Sequence, residues 1–208
     1  VTPVGLDIAL GQAIAEELGL QWEVEDTAWD GIFAGLDINK YDVVISAVTI
    51  DEERKVTMDF STPYIENWQA IVVKKGNPPV NSMLELNGLS VGYQQATTSD
   101  KILKRMIESG GIECAVNEYD KVLNAFDDLR LGRTDAVLCD STVADGYLAR
   151  EPDNFEITWI QSSEEGAEAE TFGVAMKKGN AKLQEAINVA LDNLSKSGQL
   201  DEIRKNWL

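Results

Sequence analysis

Apolar residues recur with the spacing of one helix face in several parts of the chain. Within residues 7–18, for example, Ile8, Ala15 and Leu18 follow this spacing, and Gly19 comes next as a C-terminal cap. The same reasoning predicts further helices at 29–39, 98–109, 119–131, 141–150, 180–197 and 199–207. Most of these segments end at a glycine or shortly before a proline, as helices in globular proteins do.

Short apolar runs alternate with these helices. The run at 41–48, YDVVISAV, has the length of a strand and is rich in Val and Ile, which predicts a strand buried on both faces of a parallel sheet. Other strands are predicted at 20–24, 69–74, 89–93, 112–117, 134–139, 155–159 and 172–176. Strands that alternate with helices are typical of the α/β class with parallel sheets.

A break at Gly76-Asn77-Pro78-Pro79 divides the pattern into two blocks. Isolated strands stand at both borders of the second block, and the C-terminal helices follow the second border. We therefore predict two lobes. Lobe 1 comprises 1–73 with 177–208, lobe 2 comprises 77–171, and hinge strands near 69–76 and 172–176 join them.

Composition narrows the function classes. The 208 residues include 18 Lys and Arg, 36 Asp and Glu and no His, which gives a net charge of −18. This charge argues against a nucleic-acid partner, and the lack of His removes sites that need imidazole. No apolar run reaches the roughly 20 residues of a membrane span, and no signal peptide opens the sequence. Cys114 and Cys139 fall on different predicted strands, so we expect no disulfide between them.

Seven segments, taken in order, resemble a known family. They are GLDIALGQAIAEELGL (5–20), WDGIFAGLDINKYDVVISAVTIDEER (29–54), MDFSTPYIENWQAIVVKKG (58–76), SVGYQQATTS (90–99), GRTDAVLCDS (132–141), FGVAMKKGN (172–180) and SGQLDEIRKNW (197–207). Together they are similar to the extracytoplasmic solute-binding proteins, family 3, which bind polar amino acids for bacterial ABC importers. The resemblance implies a two-lobed, periplasmic-binding-protein-like α/β fold of type II, with parallel-type sheets, two hinge strands and one amino acid in the cleft.

The resemblance also shows one departure at the N-terminus. Members of this family begin further upstream, with the first strand of lobe 1 and a loop that carries an aromatic and an acidic pocket residue. The resemblance therefore implies that this usual N-terminal strand is lacking, and that neighbouring strands would expose unpaired edges. We expect the sequence to be a truncated or incompletely recorded form of such a protein.

Arg54 is the first candidate for the site in lobe 1. A guanidinium can pair bidentately with the carboxylate of an amino acid, and Arg54 follows a predicted buried strand, where open α/β sheets bind ligands. The alternative is a surface arginine paired with Glu52 or Glu53. The resemblance favours the ligand role. It further implies that the Ala47 carbonyl accepts from the ligand ammonium and that the Thr49 hydroxyl and N–H meet the carboxylate.

Lobe 2 supplies three further candidates. Thr98 opens a predicted helix, whose N-terminus suits an anion, and Thr97 precedes it. The alternative role for both threonines is plain N-capping. Asp140 ends a predicted strand, and the resemblance assigns it to the α-amino group of the ligand. Its alternative role is an N-cap for the helix at 141–150, which Ser141 could supply instead.

The resemblance also implies which residues line the pocket around the ligand side chain. Trp29 precedes the predicted helix at 29–39, where the family often has an aromatic residue that stacks on the ligand side chain. A core position is the alternative for Trp29. Gln94, with Gln95, lies in the loop where the family varies the residues that read the ligand side chain. Trp68 and Tyr64 are predicted to serve in packing.

The expected function is extracytoplasmic binding of a free polar amino acid and its delivery to the membrane permease of an ABC importer. We expect a monomer in the periplasm, or lipid-anchored on the outer face of the cell membrane, that is not an enzyme and uses no cofactor, metal or nucleic acid. One alternative is the ligand-sensing domain of a receptor or histidine kinase. Another is a dehydratase on the same fold, with Asp140 as the general acid that it would need.

Overall fold

Two units divide the chain, and each combines segments that are distant in sequence. The computed structural model describes residues 3–208, except for the side chain of Glu165. Unit 1 comprises the described residues up to Thr27, together with Gly31–Glu66 and Glu170–Leu208, and unit 2 comprises Ala28–Asp30 and Asn67–Ala169. Val1 and Thr2, which begin the predicted lobe 1, lie outside the described residues.

Helices and strands alternate along most of the chain. The helices are α1 (Leu6–Glu17), α2 (Ala34–Asp37), α3 (Glu52–Thr57), α4 (Thr98–Glu108), α5 (Val122–Leu131), α6 (Ser141–Arg150), α7 (Ala181–Ser197) and α8 (Gln199–Trp207). The strands are β1 (Val43–Val44), β2 (Met58–Phe60), β3 (Ile65–Asn67), β4 (Gln69–Lys74), β5 (Ser90–Gln94), β6 (Ala115–Tyr119), β7 (Ala136–Asp140), β8 (Phe155–Ile160), β9 (Glu170–Phe172) and β10 (Ala175–Lys177). The predicted α/β class is confirmed.

Unit 1 packs three helices against short antiparallel strands. Strand β10 lies between β1 and β2 and runs antiparallel to both, while β3 pairs with β9. The apolar faces of α1, α7 and α8 meet in one core. Its fully or nearly fully buried members include Leu10, Met176, Ile187, Leu194 and Leu200.

Three predicted elements of unit 1 are wrong in extent or type. The predicted buried parallel strand at 41–48 is only β1, Val43–Val44, and it is antiparallel to β10. Ala47 has a left-handed φ of 48°, which ends the extended run. The helix predicted at 29–39 is reduced to α2, because Gly31 and Asn39 also have positive φ. Residues 20–24 form no strand.

Unit 2 contains a five-stranded mixed sheet in the order β6-β5-β7-β4-β8. Strand β5 is parallel to β6 and β7, whereas β4 is antiparallel to β7 and β8, so the sheet is only partly parallel. Alternate residues of β4 supply the two faces of the sheet. Ile71 packs in one core with Leu103 of α4, and Val72 packs in the other with Phe126 of α5.

The division between the units differs from the predicted lobes. Strand β4, the predicted first hinge strand, is an inner strand of the unit 2 sheet, with ladder partners on both sides. Residues 67–76 therefore belong to unit 2, and residues 170–176 belong to unit 1. Residues 28–30 also belong to unit 2, although they were placed in lobe 1.

Both cysteines are free thiols. Cys114 precedes β6, Cys139 lies in β7, and β5 runs between these two strands. Burial raises the pKa of both thiols. They serve as small apolar residues that pack against the two cores of unit 2.

Candidate functional site

Arg54 is buried in unit 1 and held by polar partners. It lies in the first turn of α3, where the Asp51 carboxylate caps the helix by accepting from the Arg54 N–H at 2.7 Å. Only 7% of Arg54 is exposed. Its Nη1 donates to the Thr49 carbonyl at 2.9 Å, and its guanidinium lies 5.4 Å from the centre of the Phe33 ring. The Arg54 guanidinium is therefore a fixed cation beside Thr49.

Burial contradicts the surface position that the alternative gives to Arg54. The side chain is not solvated, and the nearby Glu52 forms its ion pair with Lys55, at 2.7 Å. The Asp51 carboxylate is 3.9 Å from Arg54 Nε and is one quarter exposed.

Ala47 and Thr49 lie in the segment that precedes α3, the helix of Arg54. Ala47 adopts a left-handed φ of 48°, which costs a residue with a side chain about 1–2 kcal/mol. Its N–H donates to Asp7 Oδ2 at 2.8 Å. Thr49 is buried, and its backbone forms an isolated antiparallel bridge with Phe172. The structure thus brings the three predicted residues of unit 1 together.

Asp7 was missed by the sequence analysis. Its Oδ1 accepts from Tyr64 Oη at 2.8 Å, in addition to the bond from Ala47. Burial raises the pKa of this carboxyl, while the two hydrogen bonds lower it by a smaller amount. An aspartate in the first turn of a helix is common without any further role, so no local signal distinguished Asp7.

Asp140 stands at the end of β7 and occupies the N-cap position of α6. Its side chain makes no capping hydrogen bond, so the N-cap alternative does not describe what the carboxylate does. Instead, Oδ1 accepts from Asn67 Nδ2 at 2.8 Å and from Gln69 Nε2 at 3.0 Å. Two buried amides therefore fix the carboxylate.

Thr97 and Thr98 have different roles at the start of α4. Thr97 is the N-cap, because its hydroxyl oxygen accepts from the Asp100 N–H at 3.3 Å and donates to the Gln94 carbonyl at 2.7 Å. The capping alternative thus holds for Thr97. Thr98 is buried, and its hydroxyl oxygen accepts from Gln69 Nε2 at 3.1 Å.

Gln69 and Asn67 were also missed. They are 1% and 0% exposed, and both hold Asp140. Gln69 further accepts from Ser99 Oγ at 2.6 Å, so it connects α4 to the end of β7. A signal was present in the sequence, because a glutamine that opens the apolar run QAIVVK needs polar partners when the strand is buried.

The predicted wall residues lie in unit 2. Trp29 is half-buried, and its Nε1 donates to the Ala96 carbonyl at 3.2 Å, in the loop between Gln94 and α4. Gln94 and Gln95 donate to the backbone and side chain of Asp120, at 2.9 and 2.7 Å. Both glutamine side chains are therefore tied to the loop before α5.

The two residues predicted to serve in packing also have polar contacts. Tyr64 is fully buried in the core of unit 1 and bonds to Asp7. Trp68 is half-buried, and its backbone N–H donates to Ser141 Oγ at 3.3 Å.

Unit 1 also has a groove of about 690 Å³ beside β1. It is lined chiefly by the irregular segment 21–27 and by residues 40–46. None of the eight predicted site residues is among its described lining residues. Its lining ends at Ser46, the residue before Ala47.

Comparison with known structures identifies the fold. A solved structure of an ancestral arginine-binding protein bound to arginine matches with a TM-score of 0.89 at 41% identity, covering 99% of this chain and 88% of that one. A structure of an ancestral arginine-binding protein bound to glutamine gives a TM-score of 0.88 at 40% identity, with the same coverage. These neighbours confirm the predicted type II periplasmic-binding-protein fold.

Sequence comparison agrees with the fold. The L-cystine-binding protein TcyJ of Escherichia coli (strain K12) is 34% identical over 204 residues, which are 98% of this chain and 73% of that protein. An L-arginine-binding protein of Pseudomonas aeruginosa is 29% identical over 205 residues, which are 98% of this chain and 78% of that protein. The profile of the bacterial extracellular solute-binding proteins, family 3, matches residues 1–208. The chain therefore belongs to this family, as its seven segments predicted.

Proposed function

We propose that the chain binds a free polar amino acid and delivers it to the membrane permease of an ABC importer. The observation that carries this proposal is the buried Arg54, whose guanidinium is held by the Thr49 carbonyl. A guanidinium in a fixed orientation can form two parallel hydrogen bonds with a carboxylate. Thr49 adds its hydroxyl and N–H to the carboxylate, and the Ala47 carbonyl accepts from the ammonium.

Unit 2 supplies the complementary groups in this proposal. Asp140 meets the α-amino group of the ligand, and its orientation is set by Asn67 and Gln69. Thr98, at the start of α4, offers its N–H to the carboxylate. Thr97, the N-cap of α4, adds to the same helix start and is held at the Gln94 carbonyl. Trp29 and Gln94 contribute to the part of the site that meets the ligand side chain, and Trp29 is held at Ala96.

A ligand that contacts groups from both units favours the arrangement in which both sets are engaged. Binding therefore shifts the population toward that arrangement, which the permease distinguishes from the unliganded one. No covalent step, metal or cofactor enters this mechanism.

The ligand is proposed to be polar on account of the relatives. They include cystine-, arginine-, histidine- and glutamine-binding proteins, and the two ancestral structures hold arginine and glutamine. Arginine, histidine and glutamine have hydrogen-bonding or ionisable side chains, whereas cystine has a disulfide. We therefore propose a polar amino acid as the ligand.

The proposed location is extracytoplasmic, in the periplasm or on the outer face of the cell membrane, and the proposed state is a monomer. The family consists of extracellular proteins, and its relatives here are binding components of transporters. Among residues 3–208, no helix combines the length and apolar character that crossing a bilayer requires.

The test is titration calorimetry with the common amino acids, on the wild-type chain and on Arg54→Ala. We expect at least one polar amino acid to bind, and we expect Arg54→Ala to weaken it by about 100-fold or more, because the ligand carboxylate loses its charged partner. Arg105→Ala, which removes an exposed arginine from α4, serves as the matched control and should bind as the wild type does.

Two results would contradict the proposal. One is the absence of binding by any amino acid in the panel. The other is unchanged affinity in Arg54→Ala when its circular dichroism spectrum shows that the variant is folded like the wild type. Turnover of a prephenate-like acid by the wild-type chain, with loss of water, would instead favour the dehydratase alternative.

A further inference from the structure

The Asp7 carboxylate connects three segments of unit 1 that are distant in sequence. Its Oδ1 accepts from Tyr64 Oη and its Oδ2 accepts from the Ala47 N–H, both at 2.8 Å. Gly5 occupies the N-cap position of helix α1, so the helix cap is not Asp7, which lies in the first turn. Both of its oxygens are turned toward other parts of the chain.

Tyr64 holds a fixed position on one side of Asp7. Its ring is fully buried and lies 6.4 Å from the Phe172 ring, between centres. Its backbone N–H donates to the Phe172 carbonyl at 2.9 Å, and its own carbonyl accepts from Arg204 Nε at 2.9 Å. Because the phenol is held in this way, its hydroxyl fixes one oxygen of Asp7 and leaves the other directed at Ala47.

Ala47 is the residue for which this support matters. A residue with a side chain keeps a left-handed φ only where its surroundings hold it there. Ala47 has such a φ, and its own N–H donates to Asp7. The direction of the Ala47 carbonyl depends on the same backbone conformation.

We propose that Asp7 is a positioning residue for ligand binding. It holds Ala47 in the left-handed conformation, and this conformation directs the Ala47 carbonyl at the ammonium group of the amino acid. The inference rests on the proposed function, since it takes the ammonium contact of Ala47 from there. A carboxylate kept in surroundings that disfavour its charge, with both oxygens hydrogen-bonded, fits such a role.

The test compares Asp7→Ala with Asp7→Asn. The probes are the polar amino acid that binds best in the panel and its analogue without the α-amino group. Asp7→Ala leaves the Ala47 N–H without its acceptor, so we expect the affinity for the amino acid to fall about tenfold or more. The affinity for the analogue should change by less than about threefold, because the analogue makes no ammonium contact.

Asp7→Asn is the conservative variant. Its amide oxygen can accept from the Ala47 N–H while its amide nitrogen donates to Tyr64 Oη. We therefore expect it to keep the ammonium selectivity of the wild type. Asp59→Ala is the matched control, since Asp59 Oδ2 accepts from the Gly179 N–H at 2.7 Å elsewhere in unit 1. It should leave the selectivity unchanged.

Nuclear magnetic resonance supplies a readout that does not depend on the variants. A scalar coupling through the hydrogen bond is expected between the Ala47 amide nitrogen and the Asp7 side-chain carboxyl carbon in the wild type. Its absence overturns the inference even if Asp7→Ala does not fold. Equal loss of affinity for the amino acid and the analogue overturns it as well, and so does loss of selectivity in Asp7→Asn. Failure of the wild type to bind any amino acid would instead overturn the proposed function.

Discussion

Gln69 and Asp140 face each other in register across β4 and β7, and Gln69 Nε2 donates to Asp140 Oδ1 at 3.0 Å. The same nitrogen donates to Thr98 Oγ1 at 3.1 Å, and Gln69 Oε1 accepts from Ser99 Oγ at 2.6 Å. One buried amide therefore sets the positions of the two residues of unit 2 that we propose to meet the charged groups of the ligand.

Gln69→Leu should lower the free energy of unfolding by at least about 2 kcal/mol, because buried polar groups that lose their partner cost about 1–3 kcal/mol each. Urea unfolding measures the change. Gln12→Leu is the control, since Gln12 makes one exposed hydrogen bond to Glu16, and its change should stay within about 0.5 kcal/mol. Equal stabilities of the two variants would show that the Gln69 amide has no structural role.

Asp140→Asn should keep the fold and lose affinity for ligands with a free α-amino group. Asn67 and Gln69 both donate to Oδ1, and an amide oxygen in that place can accept both bonds. The lost charge should weaken free amino acids by about 10-fold to 100-fold, the usual cost of a charge-assisted hydrogen bond. Calorimetry with free and N-acetylated amino acids makes the comparison. Equal losses for both would rule out the ammonium role.

The sequence predicted the elements of unit 2 well, because each has a strong local signal. Helix α6 has the predicted bounds, α4 ends one residue before its predicted end, and α5 ends at its predicted last residue. The parallel direction of the strands was predicted only in part. Strand β4 runs antiparallel to its neighbours, and nothing within QAIVVK distinguishes one direction from the other.

The resemblance predicted the candidate residues, but it did not predict the residues that hold them by hydrogen bonds. Asp7, Asn67 and Gln69 act through partners 29 residues away or more, and no local spacing reveals such contacts. The strand predicted at 41–48 failed for the same reason. Its apolar pattern is genuine, but the left-handed Ala47, bonded to Asp7, ends the extended conformation.

Two helical glycines should respond in opposite ways to alanine. A β-carbon at Gly146, in α6, would meet nothing within 4 Å, so Gly146→Ala should raise the free energy of unfolding by about 0.5–1 kcal/mol. A β-carbon at Gly11, in α1, would overlap the Trp22 ring. Gly11→Ala should therefore lower the free energy of unfolding by about 1–3 kcal/mol, as overpacking does. Thermal unfolding checks both, and stabilisation by Gly11→Ala would contradict the packing of Trp22 on α1.

Asp7 and Asp59 should make opposite contributions to the pH dependence of stability. The ion pair with Lys178, at 2.8 Å, lowers the pKa of Asp59 below its usual 3.8, so its contribution to stability is present above pH 3.8 and is lost as the pH falls. Burial raises the pKa of Asp7, so its contribution is complete below 3.8 and is lost as the pH rises through the raised value.

Each asparagine variant should therefore differ from the wild type mainly near neutral pH. At about pH 7, Asp59→Asn should have a lower free energy of unfolding than the wild type, and Asp7→Asn a higher one, because it replaces a desolvated charge. The Asp7 difference should shrink as the pH falls below 3.8, where Asp7 is protonated in the folded and unfolded states alike. The Asp59 difference should shrink as the pH falls through the lowered pKa of Asp59. Urea unfolding over this range measures them. A loss of stability in Asp7→Asn that grew as the pH rose would mean that the charged form of Asp7 stabilises the folded chain. Its two hydrogen bonds would then outweigh its desolvation, and its pKa would lie below 3.8.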